Sequence, residues 1–215
     1  METPTDPKIE EVLMSNEETI IRLTEDISEA LHVVPQEANA TKEKGDYLKP
    51  SNLEMKLVGV SEKNQEQIKR AQAAIVDAVL EVFKRMDYKN SPPESINISS
   101  GALLLPSGED VPACYGYNEK GKPGRIYVSV SGSKVSFAGS LIPDYVAAAA
   151  FAAHEAVEHV NNMQGTELLT SQSKIPSDVH REAATEKMAN ETARKIIQEK
   201  YGWTVHFGDE QGGQK

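Results

Sequence analysis

Val146-Ala147-Ala148-Ala149-Ala150-Phe151-Ala152-Ala153 runs without a break into His154-Glu155-Ala156-Val157-Glu158-His159. A helix that is apolar on every face has no side to present to water, so this stretch belongs inside a protein and carries its ionisable residues in with it. Buried charges are costly unless something compensates them. Shared protons or arginine partners could serve, but two imidazoles and two carboxylates on adjacent turns suit a bound metal ion better. Pro143-Asp144 interrupts the run upstream and charge ends it downstream, so it is too short to span a bilayer and is expected as a core helix.

Working outward, this helix is expected from about Pro143, which a first turn tolerates, to Met163, where Gln164-Gly165 supplies a stop. A second helix is expected from Ser177 to about Lys200, ending at Tyr201-Gly202. Its apolar stripe is Val179, Ala183, Ala189, Ala193, Ile196 and Ile197, with Glu186 and Asn190 in the middle. A carboxylate there needs a partner, which makes Glu186 the candidate third ligand. Glu182 lies toward the edge of the stripe, within reach of water, and is the weaker candidate. On the other side of the hexapeptide, the spacing of Ile68, Ala71, Ile75, Ala78, Val79, Val82, Phe83 and Met86 predicts a long helix from Ser61, its N-cap, to about Tyr88. Ser91-Pro92-Pro93 ends it. Short extended pieces follow at Ile96–Ser99, Ala102–Leu105 and Arg125–Val130, separated by turns such as Gly121-Lys122-Pro123-Gly124, with Lys134–Phe137 as a further strand. The expected fold class is α+β: a helix, a small sheet, then two helices carrying the metal site.

Ahead of this body, Leu13, Ile20 and Ile27 recur every seven residues, with Leu23 and Leu31 between them. That spacing predicts an amphipathic helical appendage between Ile9 and Val34, docked on the body or binding a protein partner. Pro35 to Lys49 is polar and reads as an arm. The chain's 215 residues and 39% hydrophobic content are enough for one ordinary domain plus such an appendage. With 33 Asp and Glu against 23 Lys and Arg, the net charge of -10 repels a phosphate backbone and argues against nucleic acid. Cys114 is the single cysteine and cannot form an internal disulfide, and Met1-Glu2-Thr3-Pro4 lacks the basic and apolar regions of a signal peptide. A cytoplasmic protein that engages no membrane is the expectation.

The order of parts resembles the minimal gluzincins, zincin-like metallopeptidases in which an HExxH helix gives two zinc ligands and a general base, and a later helix gives a glutamate as third ligand. The resemblance covers about Ser61 to Lys200, and Glu186 followed by Ala189-Asn190 and Ala193 is similar to the third-ligand helix of some members. The chain then divides into an N-terminal helix and arm at 1–51, a zincin-like metallopeptidase domain at 52–207 and a polar tail at 208–215. The resemblance also implies a zinc cofactor, a peptide or protein substrate, and Arg125 to Val130 as the edge strand along which substrate binds. His154 to His159 departs from the motif: its histidines are five apart where HExxH has them four apart, and Glu158 stands where the second histidine belongs.

Residues four apart share a helix face, so three registers are open. In the first, His154, Glu158 and Glu186 hold the metal and Glu155 acts on water; with one imidazole and two carboxylates, manganese and iron become alternatives to zinc. In the second, Glu155 and His159 are ligands and Glu158 is the base, which is similar to the inverted HxxEH motif with its first histidine replaced. In the third, a π-bulge brings His154 and His159 to one face, restoring the gluzincin set with Glu155 as base. The third preserves zinc chemistry and is placed narrowly ahead of the first.

In each register the chemistry implied is hydrolysis by a metal-held water whose proton a neighbouring glutamate carries to the leaving amine. A peptidase-like fold that no longer hydrolyses and serves as a binding module fits the same residues. A ferritin-like di-iron bundle does not, since Glu155-x-x-Glu158-His159 occurs once and the middle of the chain reads as strands. His32, His180 and His206 are lone residues in polar surroundings, expected at the surface, and Cys114 is expected as an ordinary thiol.

Overall fold

The computed structural model describes residues 9–15, 18–23, 47–58, 65–105, 108, 110–117, 119–130, 142–166 and 184–207. Among the described residues, α-helices α1 (Gln65–Arg85), α2 (Asp144–Met163) and α3 (Ala184–Tyr201) and a mixed sheet build the body. The apolar stripe expected of α1 is its buried face, with Ile75, Ala78, Val79, Val82 and Phe83 wholly inaccessible. Burying a side chain of this size contributes about 1.5–3 kcal/mol, so the stripe suffices to dock the helix. α2 packs against both α1 and α3. Its alanine run explains how one helix can be enclosed from several directions: Ala149, Ala150, Ala152 and Ala153 are all inaccessible, and small side chains let neighbouring backbones come close. Pro143 sits just before its first turn, and Gly165 at φ +77° follows its end, a conformation that costs glycine little.

The sheet is ordered β3 (Met55–Val58), β4 (Ser95–Ser99), β8 (Arg125–Ser129), β7 (Ala113–Gly116). The first three are parallel and β7 runs antiparallel to β8. Strand alternation sends Ile96, Ile98, Ile126, Val128 and Tyr115 into the core beneath the helices. It sends Tyr127 to the opposite face, where it meets Leu103, with Cys114 packed alongside. A second sheet, β1 (Ile9–Ser15), β2 (Glu18–Leu23), β5 (Leu103–Leu104) and β6 (Asp110–Val111), includes this part of the chain. Gly124 marks the tightest approach: a Cβ there would stand 2.3 Å from the carbonyl oxygen of Gly116 and 2.7 Å from the Tyr115 ring.

Two expectations are overturned. Residues 9–15 and 18–23 are paired antiparallel strands and not a helix. The seven-residue spacing of Leu13 and Ile20 has another origin, since these two residues face each other across the pair. Val12, Thr19, Ile20 and Ile21, branched at Cβ, favour extended backbone. A partner-binding helix from Ile9 is therefore lost; its remainder to Val34 lies outside the described residues. Arg125–Ser129 is the other correction, because it is paired on both sides by β4 and β7 and is no edge. Among the described residues the edge next to it is β7, which also lies against α2. Its four residues, Ala-Cys-Tyr-Gly, carry no alternating pattern long enough to announce a strand. Ser61, the strand expected at 134–137, and the start of the last helix at 177–183 with Glu182 fall outside the described residues. No helix among the described residues is long and apolar enough to cross a membrane.

Candidate metal centre

α2 stays α-helical through His154 to His159, so the π-bulge of the third register is absent. On that regular helix His154 and Glu158 share a face, and α3 lays Glu186 against it. One ligand atom from each of His154, Glu158 and Glu186 falls within 4.8 Å of the other two. Nε2 of His154 is 3.4 Å from Oε2 of Glu186 and 3.8 Å from Oε1 of Glu158. Tetrahedral ligands at about 2.1 Å from a metal stand about 3.4 Å apart, so the two distances from Nε2 are within a few tenths of an ångström of a shared coordination sphere, and the two carboxylates, within 4.8 Å of each other, would draw together around an ion. His154 and Glu186 are each only 9% exposed, so the group is shielded without being sealed.

Asn190, one turn beyond Glu186 on α3, fixes the imidazole. Nδ1–H of His154 donates to its Oδ1 at 3.0 Å, which leaves Nε2 aimed at the two carboxylates. A hydrogen bond at one ring nitrogen sets which nitrogen is free for a metal. Burial by itself would lower the pKa of His154, but hydrogen bonds to Glu158 and Glu186 and the charge of Glu155 outweigh it and hold the ring well above its usual value. Without a cation at Nε2, a proton takes that position. Glu155, 6% exposed, lies beside the same group. Burial, then the charge of Glu158, push its carboxyl well above the ordinary range, His154 pulling the other way, and it shares a hydrogen bond with Glu158. Such a cluster of carboxylates and an imidazole holds excess protons that a divalent cation would displace.

His159 is elsewhere. It lies about 140° around the helix from His154, wholly inaccessible, with its ring edge-on to Tyr88 and Tyr115 at centroid distances of 5.6 Å. Nε2–H donates to the carbonyl oxygen of Ser91 at 2.9 Å, and Nδ1 accepts from the Tyr115 hydroxyl at 3.1 Å. That hydroxyl in turn accepts from Gly124 N–H at 2.9 Å and from the Asn162 amide at 3.1 Å. With both ring nitrogens engaged, His159 ties the loop after α1 and the edge strand to α2, and burial lowers its pKa to about 4. It stays neutral and belongs to the core. The hexapeptide's two histidines thus have different surroundings, His154 in a group that could hold a metal ion and His159 in the core.

Of the other sequence candidates, His206 is exposed, His32 and His180 lie outside the described residues, and burial raises the pKa of Cys114 well above its usual value, which makes it a poor nucleophile. Sequence reasoning missed the structural part of Asn162 and Tyr115. A second polar pair after the hexapeptide, Asn161-Asn162 still inside an apolar-patterned helix, was the available signal.

No protein-family model matches the chain, and no curated protein and no solved structure does either.

Proposed function

We propose that the protein is a metal-dependent peptidase with a zincin-like domain, working in the first register: His154, Glu158 and Glu186 hold the metal and Glu155 handles the proton of the attacking water. The observation that carries this reading is the convergence of the three ligand atoms with His154 already oriented by Asn190. Zinc is the metal the resemblance implies; one imidazole nitrogen and two carboxylates also suit manganese or iron(II). The bound ion would supply a water of lowered pKa and polarise a substrate carbonyl. Glu155, one residue along from His154 and hydrogen-bonded to Glu158, stands next to that position, and its raised affinity for protons is the property a proton carrier needs. Edge strand β7, antiparallel to β8 and in contact with α2, gives an extended peptide a backbone to pair with.

Glu155→Gln tests the assignment, because it keeps the shape of the side chain and removes its basicity. The variant should fold and bind metal as before while hydrolysis of casein or a mixed peptide library falls at least about a hundredfold. Metal-loaded wild-type protein that cleaves none of these substrates would instead favour a non-hydrolytic binding module built on the same centre.

A further inference from the structure

One flank of the His154 ring is covered by a residue that follows α3. The ring of Phe207 lies 5.6 Å from the imidazole, centroid to centroid, with the planes inclined by 38°. Its other aromatic neighbour is Phe151, three residues before His154, edge-on at 5.8 Å. The segment that delivers Phe207 is anchored. It turns away from α3 at Gly202, φ +72°. Thr204 Oγ1 then donates to Gln198 Oε1 at 2.9 Å. Val205 is wholly buried and its carbonyl oxygen accepts from Arg194 Nε at 3.2 Å. The backbone is therefore pinned two residues before the ring that meets the imidazole, by side chains of the same helix that supplies Glu186 and Asn190.

We propose that Phe207 is a positioning residue of the metal centre, and that residues 202–207 act as a strap holding the His154 ring in its metal-binding orientation. The inference rests on the metal reading above. An imidazole turns easily about its outer side-chain torsion. Asn190 fixes one nitrogen, and the tilted Phe207 ring beside the imidazole restricts the remaining rotation. A ligand held in place before binding loses less freedom when the metal arrives, and partners that orient a ligand are commonly worth ten- to a hundredfold in affinity. The ring also displaces water from the flank of the imidazole, which strengthens the interaction of the site with a cation.

Cobalt(II) titration of the full-length chain, followed by its visible absorption, tests this. Phe207→Ala should bind Co2+ about tenfold more weakly than wild type and change the intensity of the d–d bands, while Phe207→Tyr restores both. Ile68→Val, a core change near the start of α2, where the neighbouring Gln67 bonds Asp144, serves as the stability control. Wild-type affinity and spectrum in Phe207→Ala overturn the strap. So does an equal loss in Ile68→Val at matched melting temperature, which would reduce the effect to general stability. Absence of any Co2+ uptake by the wild-type chain is a different result, and removes the metal reading along with the strap.

Discussion

Glu158 and His159 are neighbours in sequence with opposite surroundings, and their variants should separate cleanly. On the proposed reading Glu158→Ala removes one of three ligand atoms and should abolish tight metal binding, measured as metal retained after gel filtration. His159→Ala should keep the metal and lose roughly 3 kcal/mol of unfolding free energy, because Ser91 and Tyr115 lose their partner inside the core and a cavity remains. Loss of metal with unchanged stability in His159→Ala would return His159 to the ligand set. The same residue predicts a pH effect. Its folded pKa of about 4 lies below the ordinary 6.5, so as pH falls the unfolded chain takes up this proton first. The stability it contributes is complete above about 6.5 and lost by about pH 4, a change of about 3 kcal/mol. Urea unfolding of metal-free protein at pH 7 and pH 4 should show that much more acid sensitivity in wild type than in His159→Gln; identical profiles would refute the neutral, buried assignment.

At the level of elements, what the sequence revealed depended on whether a local pattern was long enough to carry information. α1 and α2 were legible because more than five turns of apolar spacing, a proline at one start and Gln164-Gly165 at one end all agree with the structure. Glu186 was legible because a carboxylate inside an apolar stripe has few explanations. The short strands were legible only in part: Ile96 to Ser99 and Arg125 to Ser129 show branched and aromatic residues, whereas β3, β6 and β7 are too short to have a period. Strand order was not legible at all, since pairing is decided by residues distant in the chain. The edge position of Arg125 to Val130 rested on the gluzincin resemblance alone, and no local pattern in those residues could test it. The π-bulge expectation failed for a related reason. Two histidines five apart invite a distortion only if both must reach one ion, and the aromatic pocket that receives His159 is assembled from two distant segments, the end of α1 and the turn after it with Phe83 and Tyr88, and β7 with Tyr115.

For the molecule as a whole, the ligands come from two helices joined through a long intervening segment, so a bound ion would act as a cross-link between α2 and α3. The apolar core beneath them extends through α1 and the sheet and does not include the ligands, and the chelated protein should therefore still melt cooperatively. On the proposed reading a metal would bind the folded chain alone, because only there do His154, Glu158 and Glu186 converge, and binding to one state stabilises it by mass action. At a free concentration a hundred times the dissociation constant the gain is about 2.7 kcal/mol. For a chain of this length each kcal/mol moves the midpoint by about 2–4 °C, so the melting temperature should rise by roughly 5–10 °C. Calorimetry of chelated protein with and without added Zn2+ or Mn2+, or Fe2+ under anaerobic conditions, measures the rise and ranks the ions. Glu186→Ala should melt near the chelated wild type and show no response to metal, because it leaves α3 with no ligand to offer. A midpoint in wild-type protein that none of the three ions moves at neutral pH would mean that the buried cluster is held together by its own shared protons, with His154 as a permanent imidazolium among carboxylates.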